Sequence, residues 1–280
     1  MHPDTPTPEP GSGPPERPLP GHGGWHGWST RRLVVLAFSL MASNLAAQVL
    51  VFQLTDNLFA AAGAGAALTI LFAAAATQSR GAPPQAAFDL SRLPAAEHVL
   101  CVAMALGSLL PTSLLAGLSS RLHPPGPEWI AMYNSHLPDS VAGIALAAVA
   151  VVVAAPLAEE MVFRGLVYRL GRRAWGPWPA AVVSALVFGL VHGEPWYLFG
   201  LLALGLLLAA VYELTGSLWS SVIVHAVHNA VALALLVAQG GLVAEEPPPT
   251  LLDWTGAAAS LAAVVGIVAL LRRRAAARRA

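Results

Sequence analysis

Long apolar runs separated by short polar stretches form the main pattern of the chain from residue 33 onward. About 20 apolar residues at 1.5 Å per residue are enough to cross the ~30 Å hydrocarbon core of a membrane. The pattern indicates eight such runs, at residues 33–54, 58–76, 97–118, 140–170, 179–192, 196–214, 218–238 and 251–271. It therefore predicts an all-α, polytopic membrane protein with about eight transmembrane helices.

Two of the runs differ in length from a simple span. The run at 140–170 predicts a helix of roughly 45 Å, longer than the membrane core, and Pro156 lies inside it. A proline removes a backbone hydrogen bond and usually kinks a helix, so we expect a bend or a break close to this position. The run at 179–192 is short and is followed by Gly193.

The remaining segments set the domain organisation. Residues 1–30 are rich in Pro, Gly, Thr and Ser and lack apolar periodicity, which predicts a disordered cytoplasmic tail and no cleaved signal peptide. Residues 31–271 form the predicted eight-helix membrane domain, and residues 272–280 an Arg-rich cytoplasmic tail. The proline-rich loop at 121–138 is compatible with an interfacial segment. No internal repeat or second soluble domain is visible.

Composition agrees with a membrane protein. The chain is 56% hydrophobic and 11% charged, against about 25% charged in ordinary globular proteins. Fifteen acidic and fifteen basic residues balance, so net charge gives no indication of a nucleic-acid partner. A single cysteine, Cys101, excludes an intramolecular disulfide and a cysteine-based metal cluster. All basic residues are arginine, and with the high alanine content this favours a bacterial protein of the inner membrane.

The arginines also predict orientation, because cytoplasmic segments carry an excess of Arg near the ends of spans. With both termini cytoplasmic, Arg121 is the single arginine of the outer loops. Most of the acidic residues in loops also lie on that side. The inner segments then hold Arg31, Arg32, Arg80, Arg92, Arg172, Arg173, Arg272, Arg273, Arg274, Arg278 and Arg279. We expect the arginine-rich end to contact anionic membrane lipids.

Three ionisable residues lie within six positions of one another in the fourth apolar run: Glu159, Glu160 and Arg164. Charged groups at membrane depth cost several kcal/mol unless they are paired or used, so they indicate a functional site. Residues four apart share a helix face, and Glu160 can therefore pair with Arg164. Glu159 lies about 100° around the helix and is free to face another helix.

Polar side chains recur in two further runs. His192 ends the fifth run, and His225 and Asn229 share one face of the seventh. At 1.5 Å per residue, Glu159 and His192 lie about 20 Å from the inner face and His225 and Asn229 about 12 to 18 Å. The three helices could therefore meet at one buried polar site. For His228 we favour packing or an ordinary hydrogen bond over a role in chemistry.

Three motifs follow one another, each on its own helix: Glu159-Glu160-x-x-x-Arg164, Phe188-x-x-x-His192 and His225-x-x-x-Asn229. In this order they resemble the motifs of the CPBP family, the CAAX-processing and bacteriocin-processing (Abi-like) intramembrane proteases. The resemblance covers about residues 140–240, the predicted protease core.

The resemblance implies an eight-helix enzyme that hydrolyses peptide bonds in or near the membrane. By position, Glu159 would be the general base that activates water, and His192 would hold the same water. His225 and Asn229 would donate hydrogen bonds to the oxyanion, each worth about 3 to 4 kcal/mol in a dry site. Glu160 and Arg164 would form a supporting ion pair.

Two alternatives stay open on the chemistry. The family is described both as glutamate-type and as metal-dependent, and Glu159, His192 and His225 could hold Zn²⁺ with a position left for water. Asn229 is a better hydrogen-bond donor than zinc ligand, which favours a site without a tightly bound metal.

Alternatives also remain on the function. A non-catalytic membrane chaperone or bacteriocin self-immunity protein of the same family would keep the motifs as structural contacts. A proton-coupled transporter is disfavoured because such folds usually show internal repeats. The expected partner of an enzyme is a peptide or membrane-protein substrate, with prenylated C-terminal peptides and leader peptides equally compatible.

Overall fold

The computed structural model describes Trp25, residues 27–242 and residues 248–277. Within these ranges the chain is helical and contains no β-strand. We number the helices α1 (Thr30–Thr55), α2 (Leu58–Gln78), α3 (Pro84–Ala87), α4 (Ala95–Leu122), α5 (Pro127–Ser135), α6 (Val141–Trp175), α7 (Pro177–Val191), α8 (Leu198–Thr215), α9 (Leu218–Gln239) and α10 (Leu251–Ala277). A 3₁₀ turn, Pro195–Tyr197, leads into α8.

Seven of the described helices are long and apolar enough to cross a membrane, namely α1, α2, α4, α6, α8, α9 and α10. The eighth apolar run is α7, whose 15 residues extend only about 22 Å. The chain is thus an all-α, multi-pass membrane protein, as predicted, with seven long apolar helices and one short one. The proline-rich loop contains the short helix α5.

Of the bend or break expected at Pro156, the break does not occur, because helix α6 is continuous through this residue. Its 35 residues alternate between α-helical stretches and two π-helical stretches, Ala148–Ala154 and Phe163–Tyr168. Pro156 is the second residue of the α-helical stretch Ala155–Val162, directly after the first π-helical one. A π-helical carbonyl accepts from the residue five positions on, which lets the backbone bypass the missing proline N–H.

Helix α6 lies at the centre of the bundle. It packs against α2 on one side, against α9 on another, and against α7 along its second half. Helices α4, α8, α9 and α10 form a second group around their own apolar core. The acidic pair on α6 is therefore surrounded by other helices rather than by lipid.

A polar contact between α1 and α2 directs the side chains of Asn44 and Gln48 into the bundle. The Asn44 amide donates to Thr69 Oγ1 at 3.1 Å, and the Gln48 amide donates to Asn44 Oδ1. Gly65 allows this approach, because a Cβ there would lie 2.7 Å from Gln48 Cγ. Small residues at such contacts are typical of helix packing in membranes.

At one end of the bundle, the connection between α2 and α4 is fixed by buried polar contacts. Asp89 Oδ2 accepts a hydrogen bond from the Tyr212 hydroxyl at 2.6 Å and lies 3.5 Å from Arg169 Nη1. Burial raises the pKa of Asp89, and Arg169 and Tyr212 oppose this shift. Nearby, Arg172 forms a two-point ion pair with Glu213, both N···O distances being 2.7 Å.

At the other end, α5 joins two loops. The Asn134 side chain donates to the Leu242 carbonyl at 3.0 Å and accepts from the Leu242 N–H at 2.8 Å. His136, just after α5, donates to Asp56 in the turn between α1 and α2. Helix α5 therefore holds the α1–α2 turn and the end of α9 together.

Trp25, which the sequence assigns to a disordered tail, is packed against the bundle with only 2% of its surface exposed. Its indole Nε1 donates to the Gly165 carbonyl at 3.3 Å, and its ring lies edge-on to Phe88. The remainder of the predicted tail, residues 1–24 and 26, lies outside the described residues. At the other terminus α10 extends through Arg272–Arg274 to Ala277, and Arg278 and Arg279 lie outside the described residues.

Candidate active site

The supporting pair on α6 is buried completely. Glu160 and Arg164 each have 0% of their surface exposed, and Arg164 Nη1 donates to Glu160 Oε1 at 2.8 Å. The second guanidinium nitrogen, Nη2, donates to the Gly205 carbonyl of α8 at 3.0 Å. The pairing expected from the four-residue spacing is confirmed, and it also ties α6 to α8.

Glu160 has a second partner that the sequence did not indicate. His225 Nδ1 lies 2.9 Å from Glu160 Oε1, so one carboxylate oxygen receives hydrogen bonds from both Arg164 and His225. An ionised carboxylate only accepts, which assigns the proton to Nδ1. In the neutral imidazole the lone pair is then on Nε2, the nitrogen that faces away from Glu160.

Glu159 faces that second nitrogen of His225. Its side chain is 27% exposed, and its Oε2 lies 3.7 Å from His225 Nε2. This distance is too long for a direct hydrogen bond but allows one water molecule to contact both atoms. Glu159 Oε2 is itself buried and has no hydrogen-bond partner among the described residues. Glu159 is thus free of Arg164 and directed at another helix, as the helix geometry predicts.

His192 lies at the C-terminal end of α7 and is half-buried. Its Nδ1 lies 2.6 Å from the Phe188 carbonyl and donates to it, because a carbonyl can only accept. Its ring contacts the Phe188 ring edge-on, and the same Phe188 ring contacts His225 edge-on. Phe188, the first residue of the second motif, is thus the surface on which both imidazoles pack.

The two other polar residues of α9 face different neighbours. Asn229 Nδ2 donates to the Val151 carbonyl in the first π-helical stretch of α6, at 2.7 Å, which leaves one amide N–H uncommitted. His228 Nε2 pairs with Ser108 Oγ of α4 at 2.8 Å. His228 therefore forms an interhelical hydrogen bond, the ordinary role favoured from the sequence.

A metal site was the open alternative for Glu159, His192 and His225. In the part of the chain that the structure describes, no three His, Cys, Asp or Glu side chains are arranged to hold a metal ion. His225 Nδ1 contacts Glu160 and His192 Nδ1 contacts a backbone carbonyl, which orients both rings and leaves both Nε2 atoms available to a water molecule or a ligand. The mechanism proposed below uses no metal.

Sequence reasoning missed the Glu160–His225 contact and the polar surroundings of α6. Two carboxylates adjacent in sequence compete for the same histidine, and spacing alone does not select between them. Ser108 of α4 could have been suspected as the His228 partner only from the general tendency of membrane Ser and His to bond across helices.

The part of the chain that carries the three motifs is also the part that is similar to known proteins. Residues 141–231 match the family model described as type II CAAX prenyl endopeptidase Rce1-like. No curated protein and no solved structure matches the chain significantly. The matched residues include all three motifs and therefore every residue of the candidate site. Residues 141–231 are thus similar to the Rce1-like type II CAAX prenyl endopeptidases, in agreement with the resemblance that the three motifs carry.

Proposed function

We propose that this protein is an intramembrane endopeptidase that uses Glu159 as the base for water. The observation that carries the proposal is the pair of facing atoms Glu159 Oε2 and His225 Nε2. They lie 3.7 Å apart, and neither has another hydrogen-bond partner among the described residues. The Rce1-like match supports a protease that acts in the membrane.

In the proposed reaction, a water molecule between Glu159 and His225 loses a proton to the Glu159 carboxylate as its oxygen attacks the scissile carbonyl. The new C–O bond gives a tetrahedral intermediate with a negative oxygen. Glu159 then passes the proton to the leaving nitrogen, and the C–N bond breaks. The products are a carboxylic acid and an amine, which then ionise to a carboxylate and an ammonium group. A positioned acid and base of this kind contribute about 10²- to 10⁴-fold to the rate.

Donors for the negative oxygen would come from α9. Asn229 has one amide N–H left after its bond to Val151. His225 donates from Nε2 only as an imidazolium, since its Nδ1 proton is held by Glu160, so this role requires that Nε2 takes up a proton from solvent before the attack. The Glu160 carboxylate would stabilise that cation and keep the ring oriented, as a carboxylate does for the histidine of a Ser-His-Asp triad. His192 would hold the attacking water from the α7 side.

The expected setting is the bacterial inner membrane with both termini cytoplasmic and a peptide or membrane-protein substrate. The arginine distribution supports this orientation. Arg172 and Arg173 lie at the end of α6 that contacts the α2–α4 connection, which carries Arg80 and Arg92, so these arginines lie at the same end of the bundle. No feature of the site suggests a nucleic-acid partner.

The test is the near-isosteric change Glu159→Gln, which removes the base and keeps the side-chain volume. Membrane peptides from cells with wild-type protein are compared by mass spectrometry with those from cells with the variant. We expect cleavage products to fall at least about 100-fold, with Asp253→Asn at the start of α10 as a control that leaves them unchanged.

Cleavage that persists in Glu159→Gln would refute the proposal. If the protein is instead a non-catalytic membrane chaperone or immunity protein, wild type and Glu159→Gln should give the same membrane peptides, and the variant should retain the protective effect. Equal melting temperatures of the purified wild type and variant establish that both are folded.

A further inference from the structure

A second acidic side chain lies beside the candidate site. Glu194 is two residues beyond His192, in the short connection between α7 and α8, where Gly193 turns the chain with a φ of +68°. The Glu194 side chain is half-buried. Its carboxylate forms no ion pair with an arginine and no hydrogen bond within the described residues.

A cluster of aromatic side chains lies at this connection. Burial, and after it the charge of Glu194, raises the pKa of Tyr133 of α5. The Tyr133 ring stacks on Trp129 with centroids 5.2 Å apart, and Trp129 contacts Trp196 at 4.6 Å. Trp196 Nε1 is buried and lacks an acceptor among the described residues. The connection between α7 and α8 and the helix α5 therefore form one wall that combines a carboxylate, aromatic rings and a spare N–H donor.

The carboxylate in this wall would be stabilised by a positively charged partner. A half-buried carboxylate without an arginine partner or a hydrogen bond is unfavourable. A guanidinium or ammonium group would pair with the carboxylate and could also stack on the tryptophan and tyrosine rings. An acidic group in the same place would be repelled.

We propose that Glu194, with Tyr133, Trp129 and Trp196, forms a subsite that binds a basic side chain of the substrate, arginine or lysine, near the scissile bond. The inference rests on the proposed proteolytic function and defines its substrate class. Because Glu194 follows His192 so closely, a residue bound there lies within a few residues of the bond that is cut. Trp196 Nε1 offers a donor for a carbonyl of the same substrate.

The experiment uses purified full-length protein in lipid vesicles and synthetic peptides with one apolar core. Each peptide carries a single Arg, Gln or Glu, placed before the centre of the apolar core in one set of peptides and after it in a second set. The value of kcat/KM is measured for every peptide. We expect wild-type protein to prefer the Arg peptide over the Glu peptide by at least about tenfold. Glu194→Arg should reverse this preference, and Glu194→Gln should remove it.

The control is Glu128→Gln, an exposed acid in the first turn of α5, which should keep the wild-type preference. Unchanged preference in both Glu194 variants would overturn the subsite. A uniform loss for all three peptides in Glu194→Gln would overturn it too, because that result assigns Glu194 to His192 alone. Failure of the underlying proteolytic function is distinguished by wild-type protein and Glu159→Gln giving equal cleavage of every peptide.

Discussion

Replacing Arg164 with methionine removes the only arginine that pairs with Glu160 in the described structure. Neither side chain is exposed, and Arg164 donates to both Glu160 Oε1 and the Gly205 carbonyl. Methionine keeps much of the side-chain length, so the packing against Phe188, whose ring lies 4.9 Å from Arg164 Cζ, is largely retained. The variant therefore isolates the loss of charge and of two hydrogen bonds.

The expected cost follows from the buried carboxylate. Removing one partner of a buried ion pair costs about 3–5 kcal/mol, because the other charge is left uncompensated. The lost hydrogen bond to Gly205 adds about 1 kcal/mol. His225 still donates to Glu160 Oε1, which shifts the expected total towards the lower end, near 3 to 4 kcal/mol.

The measurement is the free energy of unfolding of protein in mixed micelles, titrated with a denaturing detergent. The double variant Glu160→Gln with Arg164→Met provides the cycle. Removing the stranded carboxylate should recover about 2 kcal/mol relative to Arg164→Met alone, because the buried charge is gone. Peptide cleavage should stay low in both variants. In Arg164→Met, the Glu160 carboxylate that contacts His225 is no longer held by the arginine. In the double variant, that carboxylate is absent.

Two results would contradict this reasoning. If the free energy of unfolding of Arg164→Met lies within about 1 kcal/mol of the wild-type value, Glu160 is not held as a buried carboxylate in the bundle. If the double variant is less stable than the single one, the pair is not coupled as the 2.8 Å contact implies.

Two further predictions concern packing and pH. In Gly165→Ala, the new Cβ would lie 2.6 Å from Phe88 Cδ1, so we expect a loss of about 1–3 kcal/mol in unfolding free energy, whereas Gly266→Ala in α10, with open space around it, should be neutral. The pKa of His136 is raised from its ordinary value of 6.5 by the Met132 carbonyl and then by Asp56. A raised histidine pKa stabilises the fold below 6.5 and loses this effect as pH rises through the folded value. Melting temperatures of wild type and Asp56→Asn should therefore differ at low pH and converge at high pH, and a constant gap would contradict this account; asparagine also suits the φ of +50° at position 56.

Most of the fold could be predicted because a membrane makes one rule dominant. Backbone polar groups in lipid must be satisfied within a helix, so an apolar run of sufficient length is enough to locate a span. The run predicted at 58–76 is observed as Leu58–Gln78, and the run at 218–238 as Leu218–Gln239. The short run at 179–192 was also identified as short, and it is the helix α7, Pro177–Val191.

The site could be predicted only where local geometry decides. The Glu160–Arg164 pair follows from a spacing of four residues, and it is present. The choice of Glu160 as the partner of His225 depends on how α6 is rotated against α9. Each π-helical turn adds a residue and rotates everything beyond it by about 100°, and no residue pattern indicated those turns. Trp25 was missed for a similar reason, since a single tryptophan in a proline-rich segment has no periodicity.

The two π-helical stretches explain how α6 is held in that rotation. They flank the acidic pair, and carbonyl groups in both accept hydrogen bonds from side chains of other segments. Asn229 of α9 donates to Val151, Ser184 of α7 to Phe163, and Trp25 to Gly165.

These three bonds connect α6 to both helices that carry the histidine motifs and to the segment before α1. Asn229 thereby has a structural contact in addition to its proposed role at the oxyanion. Because Glu159 and Glu160 differ by about 100° around the helix, a rotation of α6 by about that angle would exchange the carboxylate that faces His225 Nδ1. The bonds to the π-helical carbonyls hold α6 in the rotation in which Glu160 contacts His225 Nδ1 and Glu159 faces His225 Nε2.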